Sequence, residues 1–475
     1  MDLSILFLND VHGHMHLHPE LFYKGTEESI EPAGGYARLS GYINKIRKEK
    51  ESVLVFDGGD SFHGTLPVVE SKGENIVPIL NHMKIDGIVG HWDFAYGPQH
   101  LKDLAKKLSF PVLAVNVYNK NGNHFFPPYV IKETNGLKVG VIGICANILS
   151  NMPDPFSHGL KVTDGIDELP EYIEKVKKEG ADIVILLSHN GFPQDCELLK
   201  KVDGIDICLS AHTHNRLYEA VEINGTPVIQ CGCHGSFIGH LEVELKDKKI
   251  SSYRYELKKV SENFPIDTEV EKLVEDAIAP YKNYYQEIVG ETPQILHRYN
   301  TLNATMDNLL LGAILNQSGA EVAFSNGWRY GIPIPKGKIS KMDLYNMVPH
   351  NPKVSVVELT GEEIHTMLES NLESTFSKKP MHQKGGYVKR CLGISVRFRI
   401  ENPKGHRIHE LYIGKERYQK NKAYKAAFIT EQAVPKKFGS NRKELEFTAV
   451  EAMQEFLKTN SLTKELINNK AFVTV

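Results

Sequence analysis

Residues 4–14 read SILFLNDVHGH, a short apolar run followed at once by side chains that can bind metals. The run at 4–8 has the length and composition of a buried β-strand. Asp10 and His12 lie two residues apart just past its end, so both side chains can turn toward one point. One carboxylate oxygen and one imidazole nitrogen suit Zn, Mn or Fe. The stretch therefore predicts a buried strand that ends at a metal site.

The same arrangement of a short apolar run and a following Gly, Asp, Asn or His recurs through the first half of the chain. The further candidate strands are SVLVF (52–56), IDGIVG (85–90), PVLAVNV (111–117), KVGVIGI (138–144), DIVILLS (182–188), IDICLSA (205–211) and PVIQCG (227–232). Helical stretches such as GGYARLSGYINKIRKEK and LPEYIEKVKKEG lie between several of them. This alternation predicts an α/β layered core whose sheets are buried on both faces.

Four further motifs place ligand-forming side chains where these strands end. VFDGGDSFHGT offers Asp60 after a glycine turn, and IVGHWDF offers His91. VILLSHNG offers His189, and CLSAHTHN offers His212 and His214. A carboxylate has two oxygens, so Asp60 can bridge two cations. Because functional side chains of layered α/β folds gather at strand ends, the motifs together predict a dinuclear metal centre.

Length and composition limit the class of protein. The 475 residues exceed one ordinary domain and indicate two or three. A net charge of −3 gives no electrostatic reason to expect a nucleic acid polymer or a membrane surface as partner. The cysteines form no CxxC pair, and no apolar run approaches the roughly 18 residues of a membrane span. The N-terminus lacks the features of a secretion signal, which predicts a cytoplasmic protein. The oligomeric state stays open.

The second half of the chain begins after a different kind of segment. Residues 265–290 follow helical spacing and predict a connecting helix, with Asp267 or Thr268 at its start and Gly290 at its close. The predicted organisation is a catalytic domain at 1–258, a linker helix at 259–290 and an α+β domain at 291–475. The clearest elements of the last part are the strand-like GISVRFRI (393–400) and HRIHELYIG (406–414) and the helical TMDNLLLGAILNQSG.

The strand-end motifs resemble the signature of the calcineurin-like metallophosphoesterases, which reads DxH, GD, GN(H), a strand-end His and GHxH. The longer forms LNDVHGH, FDGGDSFHGT and SAHTH are similar to the 5′-nucleotidase branch. So are MDNLLLGAI, SNGWRYGIPIPKGKISKMDLYNMVP and VVELTGEEI in the second half, and the resemblance covers nearly the whole chain. It implies a four-layer α/β/β/α metallophosphoesterase domain, followed by an α+β domain of the 5′-nucleotidase C-terminal type that binds substrate.

The resemblance also implies a ligand set and a reaction. The implied ligands are Asp10, His12 and His214 for the first metal, His91, His189 and His212 for the second, and Asp60 as the bridge. The cofactors would be two divalent transition-metal ions, with Mn favoured and Zn or Fe as alternatives. The implied reaction is hydrolysis of a phosphate monoester by metal-bound hydroxide, as in nucleotide catabolism.

The third motif departs from the family pattern. Most members read GNHE, in which the asparagine binds metal and the histidine acts as general acid or stabilises the transition state. Here His91 and Trp92 take those positions. His91 can still bind a metal, but the indole of Trp92 only donates a hydrogen bond and cannot transfer protons. The stretch GHWDFAYG resembles the SoxB branch, so a thiosulfohydrolase acting on a sulfur-containing substrate is one alternative. A catalytically weakened metal-binding sensor is another.

Candidate substrate-binding residues in the second domain also come from the resemblance. Arg329, in SNGWRYG, matches a family arginine that contacts substrate, and it joins Asp60 and His91 as a catalytic candidate. Arg390 and Asn326 are further candidates. Guanidinium and amide groups donate to phosphate or sulfonate oxygens, so these residues suit a small anionic substrate.

Two features lie outside this pattern. Residues 349–351 read PHN where the family places an aromatic ring that stacks on the nucleobase, so base recognition is not supported. His14, His16 and His18 alternate along what the sequence suggests is an exposed loop. They could bind metal adventitiously, and His14 is a candidate for a supporting role beside the ligands.

Overall fold

The structure is a computed structural model that describes residues 2–385 and 387–475, with Ser150 and Asn151 described by their backbone alone. The chain divides into two compact units, Met1–Glu20 with Pro32–Pro280, and Leu21–Glu31 with Tyr281–Val475. Nothing in the sequence predicts that the short segment Leu21–Glu31 belongs with the second unit. The predicted domain limits at residues 258 and 290 remain a proposal beside this division.

Strands and helices alternate through the first part of the chain, as the sequence predicts. The strands are β1 (Asp2–Leu8), β2 (His18–Lys24), β3 (Glu27–Ala33), β4 (Val53–Asp57), β5 (Gly87–Ile88), β6 (Val117–Asn119), β7 (Tyr129–Thr134), β8 (Leu137–Ile144), β9 (Leu160–Val162), β10 (Ile183–Ser188), β11 (Ile207–Ser210), β12 (Val221–Ile223), β13 (Thr226–Ile229), β14 (Phe237–Lys246) and β15 (Lys249–Lys259). The helices are α1 (Tyr36–Glu49), α2 (Leu66–Glu70), α3 (Val77–Met83), α4 (Pro98–Ala105), α5 (Asp154–Ser157), α6 (Leu169–Lys178), α7 (Phe192–Leu199) and α8 (Thr268–Ile278).

Two sheets form the core of the first unit, in the orders β15-β14-β1-β4-β5 and β12-β13-β11-β10-β8-β7. Alternate residues of a strand point to opposite faces of its sheet. In β1, Leu6 packs with Ile43 of α1, while Phe7 on the other face is equally buried. In β10, Leu186 packs in a cluster with α6 and α7, and Leu187 is buried on the opposite face. Both sheets are therefore covered on both faces, and the predicted four-layer α/β/β/α fold is confirmed.

The topology brings the strand-end motifs to the same edges of the sheets. β1, β4 and β5 are parallel neighbours, as are β8, β10, β11 and β13. The candidate ligands follow the carboxyl ends of β1, β4, β5, β10 and β11. Parallel strands end at a common edge, which is where layered α/β folds bind ligands.

The predicted strand at 111–117 is wrong for most of its length. Only Val112 makes a bridge, to Ile88, and β6 starts at Val117. The intervening backbone is hydrogen-bonded, but its partners change at each step: Leu113 N donates to Ile88 O, Ala114 N to Pro127 O and Val115 N to Gly143 O. An extended apolar run that changes partner at every residue builds no continuous ladder.

The predicted connecting helix is shorter than the apolar spacing suggests. α8 ends at Ile278, and Gly290, predicted to close the helix, lies in a strand. Pro280 lies two residues after Ile278, and proline cannot continue a helix because it lacks the N–H donor and its ring clashes with the preceding turn. The predicted start is confirmed, since the Asp267 side chain accepts from Glu269 N and Val270 N.

The second unit is α+β, as predicted. Its strands after residue 280 are β16 (Ile288–Thr292), β17 (Val322–Ser325), β18 (Gly337–Ser340), β19 (Lys353–Thr360), β20 (Arg390–Leu392), β21 (Ile394–Phe398), β22 (Ile408–Ile413), β23 (Glu416–Arg417), β24 (Ala423–Phe428), β25 (Ser440–Thr448) and β26 (Phe472–Thr474). Its helices are α9 (Lys282–Gln286), α10 (Thr305–Ser318), α11 (Lys341–Met347), α12 (Gly361–Phe376), α13 (Ala449–Thr459) and α14 (Lys464–Ile467). Across both units, short 3₁₀ turns lie at Trp92–Phe94, Asn147–Asn151, Ala279–Tyr281 and Pro380–His382.

Two sheets of this unit carry its own core. They have the orders β20-β17-β24-β19-β25 and β23-β22-β21-β26. Phe324 of β17, Leu368 of α12 and Phe398 of β21 belong to one buried cluster. Across residues 2–385 and 387–475, no helix has both the length and the apolar character needed to cross a membrane.

Candidate metal centre

The seven predicted ligands lie together in the first unit, and we call them the candidate metal centre. Their ligand atoms form three overlapping groups, each within 4.8 Å: Asp10, His12 and His214; His91, His189 and His212; and Asp10, Asp60 and His189. The first two groups pair the residues as the sequence predicts, and the third runs between them. Whether these side chains bind metal remains a prediction.

Asp60 lies at the middle of the candidate metal centre. Its Oδ2 atom is close to three histidine nitrogens: 3.3 Å from His189 Nε2, 3.5 Å from His91 Nδ1 and 3.6 Å from His12 Nε2. Its Oδ1 atom accepts a hydrogen bond of 2.6 Å from the main-chain N–H of Trp92. One oxygen is thus fixed by the backbone while the other faces histidines of both groups, the arrangement that a bridging ligand needs.

Neighbouring groups fix the orientation of His189 and Asp10. His189 Nδ1 lies 2.5 Å from the carbonyl oxygen of Gly58, which can only accept, so Nδ1 carries a proton and Nε2 is the nitrogen that faces the Asp60 carboxylate. Asp10 Oδ2 accepts from Asn9 Nδ2 at 2.6 Å and from His212 N at 3.0 Å. Asp10 Oδ1 is left facing the centre, 3.2 Å from His214 Nε2. Such outer hydrogen bonds commonly orient metal ligands.

Several potential metal-binding atoms of the centre are buried without hydrogen-bond partners. Among the described residues, Asp10 Oδ1, His189 Nε2 and both ring nitrogens of His91 have no hydrogen-bond partner of acceptable geometry. Each buried polar group left unsatisfied costs about 1–3 kcal/mol. Carboxylate oxygens and imidazole nitrogens suit Mn, Fe and Zn. The residues present therefore fit two divalent transition-metal ions.

The backbone is also strained where the ligands stand. Five candidate ligands have a left-handed backbone: Asp10 (φ 52°), His12 (φ 51°), Asp60 (φ 58°), His212 (φ 73°) and His214 (φ 57°). For a residue with a side chain this conformation costs about 1–3 kcal/mol, and it clusters at functional sites. The turns that aim these side chains inward thus exact a conformational cost that bound cations would offset.

Burial and neighbouring charges spread the pKa values of the centre in the metal-free chain. Burial lowers the pKa of His12 to about 3. Burial also opposes the charged form of His189, but the adjoining carboxylates of Asp60 and Asp10 raise its pKa to about 10. His189 therefore holds a proton near neutral pH, and a cation that binds its Nε2 atom must displace that proton.

Asp93, for which no sequence motif predicts a role, organises two of the ligand loops. Its carboxylate accepts from the main-chain N–H groups of Asp60 (2.8 Å), Ser61 (2.9 Å), Phe62 (3.0 Å) and His91 (3.1 Å). It is 1% exposed. The only sequence signal is an acidic residue two positions after a strand-end histidine. Such a residue can accept from the turn that carries the ligand.

Trp92 lies beside the centre in an aromatic stack. Its ring is 5.8 Å from that of His91 and stacks on His63 at 4.7 Å with an interplanar angle of 25°. The edge of Phe156 meets it at 5.5 Å. The motif FDGGDSFHGT gives His63 no ligand role, so its contact with Trp92 is not predictable from the sequence. The indole packs against its neighbours and supplies no proton donor for a leaving group.

Arg390 is buried, and much of its guanidinium group serves the backbone. It is 2% exposed, with NH2 donating to Asn300 O at 2.7 Å and NH1 to Thr301 O at 3.0 Å. Gly386, in the preceding GGYVK run, lies outside the described residues. Contact between Arg390 and substrate remains a prediction, and the observed bonds show in addition that this side chain holds a loop.

Arg329 and Asn326 lie on the loop that follows β17. The guanidinium carbon of Arg329 is 5.5 Å from the ring centre of Tyr387, within cation–π range. The Asn326 side chain accepts from Thr430 Oγ1 at 3.0 Å and donates to Gln432 Oε1 at 3.1 Å. These contacts order the loop, and the substrate-binding role of both residues remains a prediction.

The histidine-rich loop after His12 is not exposed, contrary to the expectation from sequence. His14 is 4% exposed and His18 is 7% exposed, and His16 is half-buried. The polar alternation HGHMHLH suggests solvent because histidine is often found at the surface. Here the rings pack on one another, with His14 and His18 5.4 Å apart.

Comparison with known proteins identifies both units. The calcineurin-like phosphoesterase family model matches residues 3–216, and the 5′-nucleotidase C-terminal domain model matches residues 288–430. The chain is 26% identical to the snake venom 5′-nucleotidase of Naja atra over 464 residues, which covers 87% of this chain and 84% of that protein. The family resemblance seen in the motifs is therefore confirmed over most of the chain.

Solved structures share the fold of the whole chain. The sulfate thiohydrolase SoxB of Thermus thermophilus superimposes with a TM-score of 0.91 at 23% identity, covering 100% of this chain and 96% of SoxB. A 5′-nucleotidase precursor from the same organism superimposes with a TM-score of 0.86 at 21% identity, covering 100% of this chain and 99% of that chain. The two solved structures share the fold, and the two matched domains together with the nucleotidase relative confirm the prediction of a metal-dependent phosphoester hydrolase. The chain belongs to the 5′-nucleotidase family of calcineurin-like phosphoesterases.

Proposed function

We propose that the chain hydrolyses phosphate monoesters at a dinuclear metal centre, in the manner of a 5′-nucleotidase. The convergence of the seven predicted ligands on one buried point, in two groups joined through Asp60, carries this proposal. Two divalent cations held there would activate a water and neutralise the charge that develops in an in-line displacement. The proposal extends to manganese as the metal and to a small anionic substrate.

The chain's own residues define how the site would work. Asp10 and Asp60 supply negative charge beside the histidines, and Asp93 and Gly58 hold the ligand loops and the His189 ring in place. Burial lowers the effective dielectric constant and strengthens each of these interactions. Preorganisation of this kind is the largest contribution that many enzymes make to catalysis.

Trp92 limits the leaving groups that suit this site. A family histidine that could protonate the leaving group is replaced by an indole that cannot. Substrates whose leaving group is stable as an anion depend least on such a proton. We therefore propose a preference for phosphate esters of acidic alcohols over esters of simple alkyl alcohols.

The same residue favours a second candidate function, hydrolysis of a sulfur-containing substrate of the SoxB type. A thiol has a pKa of about 8.5, so a thiolate leaves without general-acid help far more readily than an alkoxide. The GHW motif around Trp92 supports this candidate. A binding or sensor protein that has lost turnover is the third candidate.

A substrate panel separates the three candidates. The purified chain, stripped and reconstituted with Mn²⁺, would be assayed against an aryl phosphate, a nucleoside 5′-monophosphate, an alkyl phosphate and a thiosulfonate. We expect metal-dependent phosphate release, fastest with the aryl ester and lost in Asp60→Asn. Turnover of the thiosulfonate alone would replace the first candidate with the second. No turnover with two metal equivalents bound would leave the sensor.

Metal analysis tests the dinuclear centre itself. At least two transition-metal equivalents are expected after reconstitution, and one or none would contradict the proposal. Arg329, with Asn326 and Arg390, remains our proposal for substrate contact, tested by a raised KM for Arg329→Gln. The cytoplasmic location is likewise proposed, and fractionation of cells that produce the native protein would test it.

A further inference from the structure

A second buried cluster of metal-binding side chains lies in the first unit outside the candidate metal centre. It consists of His18, Glu20 and His234, with His14 against them, and we call it the His18 cluster. Glu20 and His234 are fully buried, and His14 and His18 nearly so. The sequence suggests only adventitious metal binding for His14 and His18 and a supporting role for His14, and the proposed reaction uses none of the four side chains.

The ligand atoms of the His18 cluster lie close enough to share one cation. One atom each from His18, Glu20 and His234 falls within 4.8 Å of the others. Glu20 Oε2 is 3.6 Å from His234 Nδ1. The Ser236 hydroxyl lies between, 3.0 Å from His18 Nε2 and 2.5 Å from Glu20 Oε2. His18, Glu20 and His234 thus place three potential metal-ligand atoms around one point.

The outer contacts of His18 and Glu20 are those of metal ligands. His18 Nδ1 lies 2.8 Å from the main-chain oxygen of His16, so Nδ1 holds the proton and Nε2 presents its lone pair to the cluster. Arg216 NH2 donates to Glu20 Oε1 at 2.7 Å, which leaves Oε2 directed at the histidines. A backbone carbonyl behind the imidazole and a fixed carboxylate are the usual supports of a metal site.

His14 supplies an independent indication. Its ring centre is 4.7 Å from that of His234 and 5.4 Å from that of His18. Within the described part of the chain, its Nε2 atom is buried and has no hydrogen-bond partner. A buried imidazole nitrogen without a partner is costly unless something binds it. A cation in the cluster would be such a partner.

The charges of the cluster favour a cation. The Glu20 carboxylate is buried, and Cys233 Sγ lies 3.6 Å from His234 Nδ1. A buried carboxylate oxygen among imidazole nitrogens is a donor set that suits divalent transition-metal ions.

We propose that His18, Glu20 and His234, with His14 as fourth ligand, form a third metal site that binds Zn²⁺. Zinc prefers tetrahedral sets of imidazole nitrogen and carboxylate oxygen, and sites closed by four protein ligands are structural. The site joins the start of β2 to the loop that precedes β14, segments that are more than 200 residues apart in sequence. It is independent of the substrate and of turnover at the candidate metal centre.

Metal counting in the full-length chain tests the proposal. The chain would be stripped, dialysed against limiting free Zn²⁺ and analysed by mass spectrometry for bound metal. We expect three equivalents in the wild type, two in His18→Ala/Glu20→Gln, and one in a background that combines His12→Ala, His91→Ala and His189→Ala. His16→Ala is the matched control, because it removes a neighbouring imidazole but keeps the carbonyl that orients His18, and it should bind three.

Cobalt substitution gives a spectroscopic readout that requires neither hydrolase activity nor a comparison of the folds of the variants. In the triple-variant background, Co²⁺ should produce the visible bands of a tetrahedral site, and adding Glu20→Gln should abolish them. If His18→Ala/Glu20→Gln does not fold, the same titration with His14→Ala, which keeps three ligands, should show the bands shifted. Absence of the third equivalent in folded wild-type protein, or bands that Glu20→Gln leaves unchanged, overturns the proposal. If the folded wild-type chain binds the third equivalent but shows no hydrolase activity, that result counts against the proposed function and not against the third metal site.

Discussion

The carboxylate of Asp93 shows how one side chain can hold two ligand loops. It accepts four main-chain N–H groups, three from residues 60–62 and one from His91. In Asp93→Asn an amide group would face donors that need acceptors. Hydrogen bonds to a charged group contribute about 1.5–3 kcal/mol each, so we expect a loss of about 2–4 kcal/mol in unfolding free energy. Urea denaturation of the metal-free chain measures it.

The control for this prediction is Asp103→Asn, which removes an exposed carboxylate from α4. It should leave the unfolding midpoint unchanged within error. Equal midpoints for the two variants would contradict the role assigned to Asp93. Metal affinity gives a second measurement, because loosened loops should weaken Mn²⁺ binding in Asp93→Asn alone.

Trp92 gives a prediction about chemistry rather than stability. If the missing proton donor limits phosphate ester hydrolysis, Trp92→His should raise turnover of an alkyl phosphate by about tenfold or more, since general acid catalysis contributes about 10²–10⁴-fold. Trp92→Phe keeps a ring against His63 but adds no donor, so it is the control. A His variant no faster than the Phe variant would mean that the site is organised around the tryptophan.

At the scale of elements, Asp267 connects two helices of the first unit. Besides capping α8, its Oδ2 atom accepts from Ser40 Oγ at 2.6 Å and Asn44 Nδ2 at 2.8 Å, both on α1. Loss of an N-cap costs about 0.5–2 kcal/mol, and the two partly buried contacts with α1 add to it. We expect Asp267→Ala to lower the unfolding free energy by about 2 kcal/mol. Asp276→Ala, an exposed position of the same helix, should change it little by the same assay.

Lys389, next to β20, makes the stability of the second unit depend on pH. Its Nζ atom donates to Gln432 O at 2.9 Å, and burial lowers its pKa from an ordinary 10.5 to about 8. Between these values the unfolded chain holds a proton that the folded chain lacks. Raising the pH across this window therefore favours the folded state, by at most about 3 kcal/mol.

Lys389→Met isolates this effect. The variant has no group to titrate, so the wild type should gain stability relative to it from pH 8 to pH 10.5. Paired urea denaturations at several pH values would measure the difference. A difference that stays constant over that range, or that changes in the opposite direction, would show that the ammonium is not destabilised by its burial.

For the whole molecule, metal binding should act as a stabilising ligand. A site with free Mn²⁺ at about 100 times its Kd gains about 2.7 kcal/mol, which corresponds to roughly 5–10 °C in Tm for a domain of this size. Chelation should reverse the shift, as measured by differential scanning calorimetry. In Asp60→Asn, which removes the central carboxylate, the shift should shrink to half or less. An equal shift in the two proteins would place the stabilising ion outside the candidate metal centre.

Much of the site was readable locally, because a strand and the polar side chain after it fall within one short window of sequence. This is true of the apolar run before Asp10, of the glycine turn before Asp60 and of the sequence His-Thr-His at 212–214. The predicted limits of strands and helices were less accurate where they depend on contacts with distant parts of the chain. Residues 111–117 are apolar and extended, but whether they form a ladder depends on strands elsewhere in the chain.

The sequence by itself determined the fold class, the alternation of strands and helices, and which side chains stand where strands end, because period and turn chemistry are local. Only the tertiary structure decided which of those side chains meet. It buried His14 and His18 and brought Glu20 to within hydrogen-bonding distance of Ser236, 216 positions away. It also brought the Asp93 carboxylate into hydrogen bonds with the main chain of two loops, and the Arg390 guanidinium into hydrogen bonds with backbone carbonyls. Such encounters depend on strand order and packing of the complete sheets, which no short stretch of sequence encodes.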